Sequence, residues 1–316
     1  GAPSCSIFHR YRGRGCGALM RVADALNATL VERRVAAGGV DVYHPTYYHT
    51  LLARRPRPPA VVLTVHDMIH ELFDQVPDRE RLCALKRRAV DRADVVVVPS
   101  MSTRGDLQRL IGVPDDRIVV IPHGSNFTGD EPGDGSVEFP DRFVLFVGSR
   151  WSYKNFRRFF EAMARIMADD PELHLVCAGG GGFTKEELGL FAKAGLAERV
   201  HARPGHDRAL AAAYRRASVF VFPSLYEGFG MPVLEAMAFG CPVVASRVSS
   251  LPEVGGDAAL YFDPLDLEDI AGTVSAVLRS DDLRARLSAE GRRRASRFSW
   301  DAAVRAHADL YRTIGG

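Results

Sequence analysis

Short apolar runs rich in Val, Ile and Phe recur along the chain, at residues 61–65, 95–98, 118–121, 143–147, 173–177, 219–222 and 242–245. Each is short enough to be a buried strand. Between them, residues 156–168, 184–194, 207–217 and 267–278 carry apolar positions at helical spacing. Strand and helix therefore alternate, which predicts a doubly wound α/β architecture with parallel sheets covered on both faces. Residues 126–140 (NFTGDEPGDGSVEFP) are rich in Gly, Pro and acids and show no period. This segment reads as a linker, dividing a first domain at 1–125 from a second at 141–297, with a terminal helical segment at 298–316.

The first domain reads as short, with three clear strands, all after residue 60. Gly13, Gly15 and Gly17 lie near the start, but no convincing strand feeds them, so a mobile loop is the expected reading rather than a phosphate-binding one. At 316 residues and 47% hydrophobic, the whole chain can bury a large core and is long enough for two domains.

Lys plus Arg number 41 against 39 Asp plus Glu, a net charge of +2 that gives no reason to expect nucleic acid as a partner. The basic clusters Arg54, Arg55, Arg57 and Arg292, Arg293, Arg294 read as solvated faces, with peripheral contact at an anionic membrane as the alternative. Five scattered cysteines, an odd number without metal-ligand spacing, argue against a disulfide framework and against zinc. That cysteine pattern fits a reducing cytoplasm, and the protein is expected to be soluble or at most peripheral, because no apolar run approaches the roughly 20 residues of a membrane span and the first residues do not form a signal peptide.

The chemistry concentrates in residues 224–252. The loop at 223–230 follows a predicted strand, at the edge where open α/β sheets bind ligands. Gly228 and Gly230 allow close backbone approach, and Pro232 suits the first turn of a helix starting near Met231. On that helix Val233, Leu234, Met237 and Ala238 form one stripe, and Glu235 lies about 130° from its centre, towards the cleft. The helix amino end suits a diphosphate or sugar hydroxyls. Singly, Glu227 would read as a solvated loop acid and Glu235 as an ordinary helix residue; the glycines, Pro232 and the strand context favour a site. A second turn begins at Gly148, after residues 143–147, and holds Arg150 and Lys154, two cations able to neutralise a leaving diphosphate. The four glycines at 179–182 form a third loop on the same edge. His66 and Asp67 follow residues 61–65 and can reach the cleft from the first domain.

The spacing E-x(7)-E from Glu227 to Glu235, inside Y-E-G-F-G-M-P-V-L-E-A-M-A-F-G-C-P-V-V-A-S, resembles the signature of glycosyltransferase family 4. V-G-S-R-W-S-Y-K-N at 147–155, Y-H-P-T-Y-Y at 43–48, T-V-H-D at 64–67, V-P-S-M-S-T at 98–103 and I-P-H-G at 121–124 are also similar. The resemblance spans about 41–313 and implies two Rossmann-like doubly wound domains facing a cleft, the GT-B fold, with retaining transfer of a hexose. By that likeness Glu227 meets the transferred sugar, Glu235 the nucleotide ribose, and Arg150 and Lys154 the diphosphate. The backbone of Phe229, Gly230, Met231, Pro232 and Val233 cradles the sugar, His66 faces it, and residues 300–313 form a helix packed back on the first domain. No metal and no cofactor are implied.

The forms Y-H-P-T-Y-Y and G-S-R-x-x-Y-K-N are most like polysaccharide mannosyltransferases, which points to GDP-mannose as donor, UDP-sugars next, and a glycan or lipid-linked acceptor. Family members open with a strand and a Gly-Gly loop that this chain is expected to lack, leaving its first domain incomplete. The alternatives are a catalytically impaired nucleotide-sugar-binding protein and a nucleotide-sugar epimerase of the same fold.

Overall fold

The structure, a computed structural model, describes residue 33 and residues 38–48 and 59–315. The expectations about Gly13, Gly15, Gly17 and a missing opening strand and Gly-Gly loop lie outside the described residues.

The first sheet has strands β1 (Val42–Tyr43), β2 (Ala60–Thr64), β3 (Val95–Val98) and β4 (Ile118–Val120), in that spatial order and all parallel. After β2 come α1 (Ile69–Leu72) and α2 (Arg79–Arg92), and α3 (Met101–Ile111) joins β3 to β4. Side chains alternate across a strand, so one run serves two faces. Val61, Leu63, Val96 and Val98 pack with Ala89 and Val90 of α2 and Leu107 of α3. Val62 and Val97 point the other way.

The second sheet runs β5 (Phe143–Val147), α4 (Phe156–Asp169), β6 (His174–Ala178), α5 (Lys185–Lys193), β7 (Val200–Arg203), α6 (Asp207–Arg216) and β8 (Val219–Phe222). It continues through α7 (Met231–Ala238), β9 (Val243–Ser246), α8 (Leu251–Gly255), β10 (Ala259–Phe262), α9 (Leu267–Arg279) and α10 (Asp281–Ala295). Its spatial order is β10-β9-β8-β5-β6-β7, every pair parallel. One face packs Leu145, Phe220 and Val243 against α6 and α7. The other packs Val144, Phe146 and Val221 against α4 and α9. Burial on both faces is why these strands read as unbroken apolar runs.

The last helix, α11 (Trp300–Gly315), returns to the first sheet. Its Ala303, Leu310, Tyr311 and Ile314 cover Val62, Val97 and Ile121, the face that α2 and α3 leave bare. Residues 126–140 contain neither helix nor strand, and the amino end of α11 lies beside them: Trp300 Nε1 donates to Asn126 Oδ1 at 2.9 Å.

Gly124 sets how closely α11 approaches, because a Cβ there would lie 2.6 Å from Ser299 C and 2.7 Å from Trp300 Cα, both backbone atoms. Gly124→Ala is therefore expected to cost about 1–3 kcal/mol, read as a lower urea midpoint. Gly105→Ala, in α3 with open space around it, should instead raise the midpoint, by roughly 0.5–1 kcal/mol. Equal effects at the two positions would contradict the close seating of α11.

Candidate functional site

The chain adds β6 and β7 on one side of β5, then returns to place β8 on the other. In an open parallel sheet such a reversal leaves a crevice between the carboxyl ends of the two central strands. Both sequence-predicted loops leave from those ends. Leu225 N–H donates to Tyr153 O at 2.7 Å, and Asn155 Nδ2 donates to Pro223 O at 3.1 Å and Pro264 O at 2.8 Å. The two turns are thereby stitched together at backbone level.

At their junction Lys154 Nζ meets Glu227 Oε1 at 2.6 Å, with the two side chains 14% and 12% exposed. Lys154 Nζ also lies 5.1 Å from the ring centres of both Tyr153 and Phe222. A pair so withdrawn from water is held by mutual attraction and by the scaffold. The scaffold is explicit: Ser249 Oγ accepts from Glu227 N–H at 2.9 Å, and Ser250 Oγ donates to Glu227 O and Phe229 O, each at 2.8 Å.

Gly230, at φ +108°, begins α7, and a Cβ there would press on Leu251 Cδ2 at 2.8 Å. Met231, Pro232 and Val233 form the first turn of α7. Glu235 lies one turn further along α7. It is half-buried against α6, where Tyr214 OH donates to Oε2 at 3.1 Å, and burial raises its pKa. The helix wheel could not show this, because it carries no information about the neighbouring helix.

Arg150 takes other partners than Lys154. Its Nε donates to Glu187 Oε1 at 2.7 Å, its remaining nitrogens to Gly179 O at 3.2 Å and Gly182 O at 2.7 Å, and its guanidinium lies 4.8 Å from the Phe183 ring centre. Gly179, Gly180 and Gly181 all have positive φ, so the loop that wraps this guanidinium depends on glycine. Gly148, at φ +114°, donates its N–H to Ala178 O at 2.9 Å and ties the two turns. A cavity of about 1190 Å³ lies beside them, bounded by Arg150, Trp151, Arg157, Lys193 and, from the first domain, Gln75.

From that domain His66 arrives with its backbone against Gly228. Its ring is engaged: Nε2 lies 3.0 Å from Thr46 O and Nδ1 3.4 Å from His123 Nε2. His123 in turn meets Phe229 edge-on at 5.2 Å. Behind this strand end Lys86, fully buried, donates to Glu71 Oε2 at 2.6 Å and Asp67 O at 2.8 Å. Sequence reasoning missed His123, Glu187, Tyr214, Lys86 and the serines. Glu187 left a local signal, the capping box Thr184-x-x-Glu187, while His123 lies in the I-P-H-G segment and the serines in residues 224–252 without a role having been assigned to them. Among the described residues no three His, Cys, Asp or Glu side chains gather so as to hold a metal ion, and no helix is long and apolar enough to cross a membrane.

Comparison with known proteins finds matches over both domains. The family model described as glycosyl transferases group 1 matches residues 135–294, and that described as Glycosyltransferase Family 4 matches residues 8–127, a span that takes in Gly13, Gly15 and Gly17. The chain is 30% identical over 288 residues to the O-antigen chain mannosyltransferase B of Escherichia coli, an alignment covering 86% of this chain and 74% of that one. It is 31% identical over 233 residues to the MMP alpha-(1->4)-mannosyltransferase of Mycolicibacterium hassiacum, covering 72% of this chain and 56% of the relative. Sucrose-phosphate synthase from Thermosynechococcus elongatus has a similar structure, with TM-score 0.75 at 24% identity, covering 96% of this chain and 80% of that one. Both domains of the pattern are therefore those of a GT-B glycosyltransferase.

The histidines at the junction give the site a pH dependence. Burial, then the nearby His66 and His307, push His123 down to about 4, and burial, then His307 and His66, do the same to His44. Unfolded, each titrates near 6.5. Between those values the unfolded chain binds more protons, so their contribution is complete above about 6.5 and falls as pH drops toward 4. The urea midpoint should decline over that window, and less steeply in His123→Phe, which keeps the ring contacts. An unchanged slope in that variant would count against a neutral, half-buried His123.

Proposed function

The chain belongs to the group 1 glycosyl transferases, and from that premise we propose that it is a retaining hexosyltransferase using a nucleotide-diphosphate sugar. GDP-mannose is the leading donor, another GDP- or UDP-sugar the next, and the acceptor is a hydroxyl of a glycan or of a lipid-linked glycan. Support for mannose comes from the polysaccharide-mannosyltransferase form of residues 43–48 and 148–155 and from two relatives named as mannosyltransferases.

The observation that carries the reading is the Lys154–Glu227 contact at the point where the strand order reverses. A donor pyrophosphate arriving there takes Lys154 as its counter-ion, and the freed Glu227 carboxylate accepts from hydroxyls of the sugar. Arg150 exchanges Glu187 for the same pyrophosphate. Glu235 accepts from the ribose hydroxyls beside Tyr214, the backbone of Phe229 to Val233 lines the sugar, and His66 closes it off from the first domain. In the transfer the bond from the anomeric carbon to the phosphate oxygen breaks and one to the acceptor oxygen forms on the same face. The acceptor proton passes to the departing phosphate. Cations at the breaking bond act where charge develops, which is where they lower the barrier most.

Calorimetry with GDP and UDP, together with transfer assays on GDP-mannose and UDP-hexoses, tests the assignment. Glu227→Ala should lower kcat by about 100-fold or more, and Glu235→Ala should raise the donor KM by roughly tenfold. Folded variants in which neither affinity nor transfer moves would refute the roles given to both acids.

A further inference from the structure

The loop that bears Glu227 is bonded from both domains. Ser250 Oγ holds Glu227 O and Phe229 O from the second domain, as described above. From the first, Ser100 Oγ donates to Gly228 O at 2.7 Å and Thr103 Oγ1 donates to the same oxygen at 3.0 Å. Ser100, Thr103 and Ser250 are all fully buried. Gly228 leaves no room for a side chain on the facing side, where a Cβ would overlap the His66 carbonyl and lie 2.7 Å from Asp67 Cβ.

A reciprocal contact runs the other way. Glu253, in α8 of the second domain, accepts from Met101 N–H with both carboxylate oxygens at 2.9 Å, and from Ser102 N–H at 3.4 Å. These are among the first N–H groups of α3, which the helix itself cannot satisfy. A carboxylate there also meets the positive end of the helix dipole. Arg294 of α10 fixes α8 from behind, donating to Val254 O at 2.8 Å and Glu253 O at 2.5 Å. Gly228 O and Glu253 thus give the start of α3 an acceptor on each side.

We propose that Ser100, Thr103 and Glu253 are positioning residues for the transfer reaction: the amino end of α3 grips the second domain when the cleft is closed and fixes the backbone on which Glu227 sits. No one of the three hydrogen-bonds to the Lys154–Glu227 pair itself, so their action passes through the Gly228 carbonyl and through α8. Without the two hydroxyls, that carbonyl stays buried with no partner, a cost met by loosening the loop or opening the cleft.

The test uses the full chain. Ser100 also caps α3 by accepting from Thr103 N–H at 3.0 Å, so the informative changes are Thr103→Val, which removes the hydroxyl at nearly constant volume, and Glu253→Ala. Each should speed amide hydrogen exchange across 226–230 by roughly tenfold, the loss of about one hydrogen bond. Thr103→Ser, which restores the donor, should exchange like the parent, and thermal midpoints should separate this local effect from general unfolding.

The kinetic arm alone rests on the role proposed for Glu227. There kcat should fall roughly tenfold in Thr103→Val and Glu253→Ala, with GDP or UDP affinity unchanged, because the groups assigned to the nucleotide lie on the second domain. Unaltered exchange across 226–230 in both variants, or a Thr103→Ser that behaves like Thr103→Val, would overturn the proposal. So would nucleotide affinity falling in step with kcat. A parent protein that transfers no sugar would instead count against the function, with the exchange arm still deciding the grip.

Discussion

An ammonium and a carboxylate drawn from two different strand ends, and mostly removed from water, set the conditions that the second domain has to meet. Each would be costly to bury alone, since an uncompensated interior charge is worth several kcal/mol against the fold. The contact therefore requires β5 and β8 to be neighbours in correct register. Val144 opposite Val219 and Leu145 opposite Phe220 supply that register. Asn155, with its side chain bonded to the carbonyls of Pro223 and Pro264, stops the two turns from drifting apart. The apolar core and the polar site are in this sense one construction: the same strand pairing that excludes water from Val221 and Phe146 delivers Lys154 to Glu227.

The first domain is coupled to this arrangement by chain order. Its sheet is covered on one face by local helices and on the other by α11, from the far end of the sequence. The polypeptide thus leaves the first domain, builds the second, and returns. Close packing at Gly124 seats α11 on the first domain, and at Gly228 it brings the two domains together, backbone replacing side chain at both points. At Gly228 the contact lies next to Glu227 itself, so the separation of the domains and the position of the acid are not independent quantities.

Much of this was legible in the sequence, for reasons that also explain what was not. Central strands such as β5 and β8 are buried on both faces and leave unmistakable apolar runs. By contrast β1, β7 and β10 went unread, and among the described residues all three lie at sheet edges. There half-exposed residues such as His201 and Arg203 break the run. The glutamate loop was visible because glycines, a proline and two acids sit at fixed spacing within one short segment. Residues that reach the site from elsewhere carry no such local mark. Tyr214 is one aromatic among several on an amphipathic helix, and its bond to Glu235 exists only through the packing of α6 on α7. Lys86 looks like any surface lysine until tertiary structure encloses it with Glu71. The sequence grouped Arg150 and Lys154 because they share a turn, yet the three residues between them, which lead into a single 3-10 turn at Ser152–Lys154, suffice to send their side chains to different partners.

That divergence bears on how an anionic donor would be received. Lys154 is matched by Glu227 and Arg150 by Glu187, so the four side chains together carry no net charge. A site that displayed two bare cations would attract any passing phosphate; this one offers paired ions and the amino end of α7. A pyrophosphate has to compete with both carboxylates, and only a ligand that also gives them new partners recovers the cost. Under the proposed reading a nucleotide sugar meets that requirement for Glu227, because its hydroxyls occupy the carboxylate as its phosphates occupy Lys154. Inorganic phosphate does not. Under that reading, preference for an activated sugar over simple anions follows from the pairing of charges within the site.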